Sequence, residues 1–482
     1  MSDKDFGLID RRTVLKAAGA AGLMLATGAY AATSRKRYAV VGVGHRARMY
    51  MNAITGKYRD GNEIVAVCDT NPGRVARAVR RISETGASQP RPYAAADFDR
   101  MIRETKPQFV LVTTVDATHD EYIVRALEAG CDVITEKPMT TTAEKAQRIL
   151  DAVKRTGRHI RVAFNYRYTP PRTQVKELLM SGEIGDVLSV DFTWLLNTVH
   201  GADYFRRWHS NKANSGGLMV HKSTHHFDLV NWWLGAQPEL VHAFGSRQFY
   251  TPETAKRMGL QGHHQRCLTC PEKNKCNFYF DLAADPGLKE LYLDNEQHDG
   301  YFRDQCIWRP EINIEDTMNV MVRYDNGVQL KYALSAYDAW EGYHIAFNGT
   351  KGRLEHRIVE SAGAAGAGQV QSKSNEVSTR IIPLRGAARD IEPWVGTGGH
   401  GGGDNVMLDE IFGDAPADKF KRISDERAGA YSCLVGIAAN RCFETGNSVR
   451  IADLVTGLTP PDRAPMPDRK APVPMPIRVK IP

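Results

Sequence analysis

The apolar run Tyr38-Ala-Val-Val ends in Gly42, and Gly44 and Ala47 complete a G-x-G-x-x-A turn. This is the feature that most limits what the chain can become. A glycine turn between a strand and a helix lets backbone N–H groups approach a pyrophosphate at the helix N-terminus. Taken alone the pattern is weak in a chain with 42 glycines, so its context decides. A strand, Tyr38–Val43, precedes it, and helix formers from Ala47 to Ile54 follow it. A second apolar strand, Glu63–Cys68, ends in Asp69. An acid there accepts hydrogen bonds from a ribose 2′-hydroxyl and repels a 2′-phosphate, which favours NAD over NADP. Arg74, five residues on, is the side chain that could meet a phosphate instead.

The first half of the chain alternates strand and helix patterns. Phe109–Thr114, Cys131–Thr135 and His159–Phe164 read as strands, and Glu121–Ala129 and Thr140–Thr156 as helices. This predicts an α/β fold whose N-terminal domain is a doubly wound parallel sheet with helices on both faces. Beyond residue 170 the pattern becomes rich in hairpins. Gly185–Leu196, Val241–Phe249, Asn319–Tyr324, Val328–Ala336 and His344–Asn348 read as strands, with helices at Ser223–Leu234 and Ala428–Cys442. A C-terminal α/β domain with an open, mostly antiparallel sheet is expected. Residues 250–310 read as a polar insertion, and 361–400 as a glycine- and alanine-rich stretch with little pattern. The expected domains are 35–160 and 161–455, with a proline-rich tail at 456–482.

Residues 1–34 read as a targeting segment. Arg11-Arg12 precedes an apolar run from Ala17 to Ala29, closed by Ala29-Tyr30-Ala31. An n-region, an h-region and an A-x-A site are the parts of an export signal, and the arginine pair resembles a twin-arginine signal. A periplasmic protein with no membrane span after cleavage is expected. The 482 residues carry a formal charge of +7, spread without a basic tract interleaved with aromatics. That argues against nucleic-acid binding.

Glu136-Lys137-Pro138 follows the strand ending at Thr135. In open α/β sheets ligands sit beyond the carboxyl ends of the strands, so Lys137 is placed to face the nicotinamide and the reacting carbon. With this motif the chain resembles the Gfo/Idh/MocA oxidoreductases, named for glucose–fructose oxidoreductase, inositol dehydrogenase and a rhizopine-catabolism enzyme. The resemblance rests on residues 42–47, Val-Cys-Asp (67–69), Thr-Thr-Val-Asp-Ala-Thr-His (113–119), Glu-Lys-Pro (136–138), Gly-Glu-Ile-Gly-Asp-Val (182–187) and Gly-Gly-Leu-Met-Val-His-Lys-Ser-Thr-His-His-Phe-Asp (216–228). It implies a Rossmann domain, a sugar or polyol substrate, and homo-oligomers, dimeric or tetrameric, built through the C-terminal sheet. It also implies cofactor contacts at Gly42, Gly44, His45, Arg46, Ala47, Asp69, Thr114, His119, Glu136, Lys137 and Asn165.

In much of that family an Asp precedes a His by four residues; here His221 and His225 hold those places. Oxidising a secondary alcohol requires a base for its O–H proton, and a histidine near neutrality with a lysine beside the developing alkoxide suits the task. His225 is read as the base and Lys137 as its partner, with His221 a further catalytic candidate. On one helix His221, His225 and Asp228 would share a face. That spacing also permits a metal, with Asp228 or His400 as a third ligand. Tyr166, Arg167, Lys222 and His400 are the candidate substrate contacts, and Trp340, Glu341, Tyr343 and His344 a candidate sugar-stacking face. Cys267, Cys270, Cys276 and Cys306 have spacing that suits structural zinc, two disulfides or free thiols alike. The remaining cysteines, Cys68, Cys131, Cys433 and Cys442, read as buried apolar side chains. The function so implied is an oxidoreductase acting on a sugar or glycoside with a tightly bound cofactor, plausibly at C3. A glycoside hydrolase using transient oxidation and a non-catalytic sugar-binding protein are the alternatives.

Overall fold

A computed structural model of the chain describes residues 35–363, 374–397 and 399–476, the side chain of His400 excepted. The expected export signal, residues 1–34, lies outside the described residues.

Two sheets organise the remainder. The first has six parallel strands: β1 (Lys36–Val41), β2 (Asn62–Asp69), β3 (Arg91–Ala94), β4 (Phe109–Val112), β5 (Asp132–Thr135) and β6 (Ile160–Val162). Their order is β3-β2-β1-β4-β5-β6. The chain starts in the middle and winds outward both ways, so the order reverses between β1 and β4, where a ligand crevice forms. The central strands are buried on both faces, and so read as continuous apolar runs rather than alternating ones. Helices Ala47–Thr55, Pro72–Glu84, His119–Glu128 and Ala143–Thr156 cross over between them. The last helix, expected from Thr140, is capped by Thr142, whose hydroxyl accepts from the Lys145 N–H.

The second sheet has nine strands in the order β14-β13-β12-β11-β7-β10-β9-β8-β15. Its core is β7 (Val187–Asn197), β8 (Pro238–Ser246), β9 (Thr317–Tyr324), β10 (Gln329–Asp338) and β11 (Glu341–Gly349). All pairings are antiparallel except β7 with β10. Along β9, buried and exposed residues alternate, so one sheet face is core and the other meets solvent. The inner face carries helices Thr224–Leu234 and Glu426–Thr445, whose buried residues include Trp232, Trp233, Leu434 and Val435.

Two expectations change. The stretch 361–400, read as patternless, contributes β13 (Glu376–Pro383) and β14 (Arg389–Ile391), with β12 (Gly352–Ser361) just before it. Short edge strands packed on one side carry little hydrophobic periodicity, and the glycines masked what there was. Secondly, His221, His225 and Asp228 do not share one helix. A short helix, Gly217–His221, stops at Lys222, and a new one begins at Thr224. The Lys222 and Ser223 N–H groups both turn back to the Leu218 carbonyl.

Candidate functional site

The glycine turn forms at the carboxyl end of β1. Gly42 has φ +84°, and a Cβ there would sit 2.7 Å from the backbone of Thr113 and Thr114. Only glycine allows β1 and the end of β4 to lie that close. Gly44 is different: a Cβ there would meet only the Tyr292 hydroxyl, at 3.7 Å. It leaves the open cradle that a pyrophosphate needs at the start of the helix Ala47–Thr55. Asp69, ending β2, ties the turn down by accepting from the Val43 N–H at 2.8 Å and the Asn71 N–H at 2.9 Å. The Arg74 Nε lies 3.4 Å from the same carboxylate. The turn, its acid and the adjoining helix N-terminus therefore fit a dinucleotide.

Across the crevice, β4 and β5 supply the polar groups. His119 bridges the loops after both strands: Nδ1 lies 2.8 Å from the Pro138 carbonyl and Nε2 3.2 Å from that of Thr114. Burial lowers its pKa. Thr114 accepts from the Thr118 hydroxyl at 2.9 Å. Glu136 is turned back to the glycine turn, bonded to Arg46 Nε at 2.6 Å and to the Tyr50 hydroxyl at 2.7 Å. Arg46 also reaches Asp404 at 3.6 Å, and Asp404 accepts from Asn165 at 2.7 Å. Arg46, Glu136 and Asn165 thus form one network that joins the turn to the lysine loop.

Lys137 leads out of that loop. Its Nζ donates to the His221 carbonyl at 2.9 Å. Burial pulls the ammonium well below its usual pKa, against the opposing pull of Asp116 and Glu136. His221 Nδ1 lies 2.5 Å from Asp116 Oδ2. Burial first, then the nearby Lys137 and Arg207 charges, hold this imidazole neutral far below its usual range. Burial raises the Asp116 carboxyl. His221 is further enclosed by Tyr204, Trp208 and His209, the last at 4.2 Å between ring centres.

His225 points elsewhere. Its ring stacks on Tyr166 at 4.1 Å, and the Tyr166 hydroxyl accepts from Lys222 Nζ at 3.1 Å. Lys222 lies over the Trp194 ring at 4.8 Å. Beside it runs a relay absent from the sequence reading. The Tyr204 hydroxyl is 3.0 Å from His200 Nε2, and His200 Nδ1 is 2.7 Å from Glu341 Oε1. Lys137, Asp116 and His221 are thus brought together, with His225, Tyr166 and Lys222 as a second group.

Several candidates land away from the crevice. Arg167 is interior: its Nε and Nη2 bond the two Asp228 oxygens, and each side chain is 1% exposed. Arg167 and Asp228 are therefore an internal ion pair, removing one from the substrate contacts and the other from the metal ligands. Tyr343 is fully buried against Trp194, so it belongs to the core. Cys267, Cys270, Cys276 and Cys306 do line one pocket, with Arg206 and His264, but as free thiols. Among the described residues, no group of three or more His, Cys, Asp or Glu is arranged to hold a metal ion. Arg206 donates to the Cys267 sulfur at 3.0 Å. Cys68, Cys131, Cys433 and Cys442 are buried. The sequence reading also missed Asp116 and Tyr292. The first sits inside the motif 113–119, of which only Thr114 and His119 were singled out, and the second in an insertion with no periodic signal.

Known proteins match over these same elements. Residues 36–164 match the oxidoreductase family NAD-binding Rossmann fold (GFO_IDH_MocA), and residues 176–451 match that family's C-terminal alpha/beta domain. YteT of Bacillus subtilis (strain 168), named as an oxidoreductase, is 37% identical over 410 residues, 83% of this chain and 94% of its own. Inositol 2-dehydrogenase 2 of Saccharopolyspora erythraea is 29% identical over 223 residues, 46% of this chain and 58% of its own. The aldose-aldose oxidoreductase of Caulobacter crescentus, solved with glycerol, aligns with TM-score 0.56 at 17% identity, over 86% of this chain and 99% of its own.

Proposed function

The chain belongs to the GFO_IDH_MocA oxidoreductase family, and on that premise we propose that it oxidises a secondary alcohol of a sugar, polyol or glycoside, plausibly at C3 of a glycoside, with NAD that stays bound. Residues 35–160 hold the cofactor, and 161–455 supply the substrate side. The likeness to the relative named inositol 2-dehydrogenase 2 supports a sugar or polyol substrate. The position of Lys137 carries the reading: the end of β5 delivers a half-buried ammonium to the same crevice as the glycine turn, beside Asp116 and His221.

When bound, the dinucleotide supplies a nicotinamide that accepts hydride. The protein's part is positioning and proton management. Gly42 and Gly44 bring backbone N–H groups to the pyrophosphate, and Asp69 meets the ribose. His119 fixes the loop that carries Lys137, and the Arg46–Glu136 pair fixes its entry. Lys137 stabilises the oxygen that gives up its proton. For His225 to take that proton, the substrate must reach across from the Lys137 group to the group of His225, Tyr166 and Lys222. His221, held in one orientation by Asp116, anchors Lys137 through its carbonyl. Tyr166 and Lys222 contact the substrate.

Two further parts belong to this reading. Export by the twin-arginine route would carry the folded protein to the periplasm with its cofactor inside. A homo-oligomer would form on the outer face of the nine-stranded sheet, where Phe244 and Met321 are exposed. The test is to mix purified protein with inositols, aldoses and glycosides while following the reduced-nicotinamide absorbance band and identifying products by mass spectrometry. A keto product with reduction of the bound nicotinamide is expected. Release of an aglycone with no keto product would overturn it.

A further inference from the structure

One segment of the C-terminal half crosses to the cofactor side. Between β8 and β9 the chain leaves its sheet, and residues 290–299 lie along the helix Pro72–Glu84 that follows Asp69. The Tyr292 hydroxyl accepts from the His45 N–H at 3.2 Å, over the glycine turn. Asn71 Nδ2 donates to the Asn295 carbonyl at 2.9 Å. The Asn295 side chain fills the space that a Cβ on Gly73 would need, 1.7 Å from it. Asp299 pairs with Arg74, whose Nε also faces Asp69. Glu290 meets Arg77 at 3.0 Å and Arg81 at 2.9 Å. The segment is tied to its own side by Arg303–Asp203 and Arg266–Asp304, each at 2.7 Å.

We propose that residues 290–299 form the outer wall of the adenosine half of the cofactor site, with Tyr292 retaining the dinucleotide and Asp299 selecting for a free ribose 2′-hydroxyl. The inference rests on the cofactor reading above. The His45 N–H sits where a helix start meets a pyrophosphate, so the hydroxyl bonded to it is placed to donate to a phosphate oxygen at that point. Arg74 is the cation near Asp69 that a 2′-phosphate would use. Here its guanidinium is already held by two carboxylates, Asp69 and Asp299, which leaves it no free face for a 2′-phosphate and sets two negative charges beside one positive. The insertion thereby adds a selecting residue far in sequence from the motif that binds the cofactor.

The test uses the full protein, freed of bound nucleotide, and its Tyr292→Phe and Asp299→Asn variants. Binding of NADH and NADPH is followed by nicotinamide fluorescence, with release rates from stopped-flow displacement. Asp299→Asn is expected to shift the NADPH-to-NADH affinity ratio toward NADPH by roughly tenfold. Tyr292→Phe is expected to speed release of both by a similar factor and leave the ratio unchanged. NADH binding by each variant doubles as the check that it is folded. A wild type that binds NADH, with variants matching it in ratio and release rate, overturns the wall alone. A wild type that binds neither nucleotide overturns the cofactor reading as well.

Discussion

Two glycines in one motif do different jobs, and substitution separates them. At Gly42 a methyl would collide with the backbone of Thr113 and Thr114 at a φ of +84°. Gly42→Ala should cost about 1–3 kcal/mol of stability from the strained backbone alone, read as a lower melting temperature. At Gly44 a methyl meets only a hydroxyl at 3.7 Å. Gly44→Ala should melt within about 0.5 kcal/mol of wild type yet lose NADH binding in a fluorescence titration. Lys137→Ala should retain NADH while turnover falls by roughly 10²–10⁴; full turnover would sink its assigned role. These residues were legible in the sequence because the chemistry demands particular residue types at fixed spacing. Arg167 was misread because adjacency to a motif says nothing about direction. Its partner Asp228 is 61 positions away, and a buried guanidinium takes whichever carboxylate the fold supplies.

At the scale of elements, parallel strands were easier to read than the edge of the antiparallel sheet. A strand buried on both faces is a continuous apolar run, whereas β13 buries only Thr379 and Ile381 and β14 buries none of its residues. The helix break at Lys222 escaped because no Gly or Pro marks it; the chain turns through backbone bonds to Leu218. That break directs His221 to Asp116 and His225 to Tyr166, and Asp228 then anchors the second helix through Arg167. Asp228→Asn should therefore destabilise by about 3–5 kcal/mol in chemical denaturation, since it leaves a buried guanidinium uncompensated. The insertion has an anchor of its own. Burial alone would raise the Asp203 carboxyl, but Arg207 and Arg303 outweigh it and hold it down at about 2. A folded pKa below the unfolded value of about 3.9 means stabilisation present above pH ~4 and lost as pH falls through ~2. Wild type and Asp203→Asn should differ by about 2 kcal/mol at neutral pH and converge near pH 2. Equal stabilities at both ends would show that the anchor contributes nothing.

Across the whole molecule, burial keeps several imidazoles neutral. His209, His221 and His226 are held well below their usual range by burial, and His356 down to about 3. His226 stays uncharged beneath Trp194 and the Tyr332 hydroxyl, and His356 against the Thr379 hydroxyl. Each has a folded pKa below the unfolded value of about 6.5, so each contributes stability above that pH and loses it as pH falls. Asp116 and Asp228 work the other way, because burial raises their carboxyls and the native state holds protons that the unfolded chain releases. His45, His119 and His344 are also shifted down, and Asp338, Glu410 and Glu426 up. Seven lowered imidazoles thus stand against five raised carboxyls, and the balance favours proton uptake by the unfolded chain as pH falls below about 6.5. The melting temperature should therefore fall between about pH 7 and pH 5. His356→Asn, which cannot titrate there, should flatten that slope while lowering stability at neutral pH. A melting temperature independent of pH across this range would mean that these imidazoles are reached by water in the folded protein, and the packing around β7 and β11 would have to be looser than described.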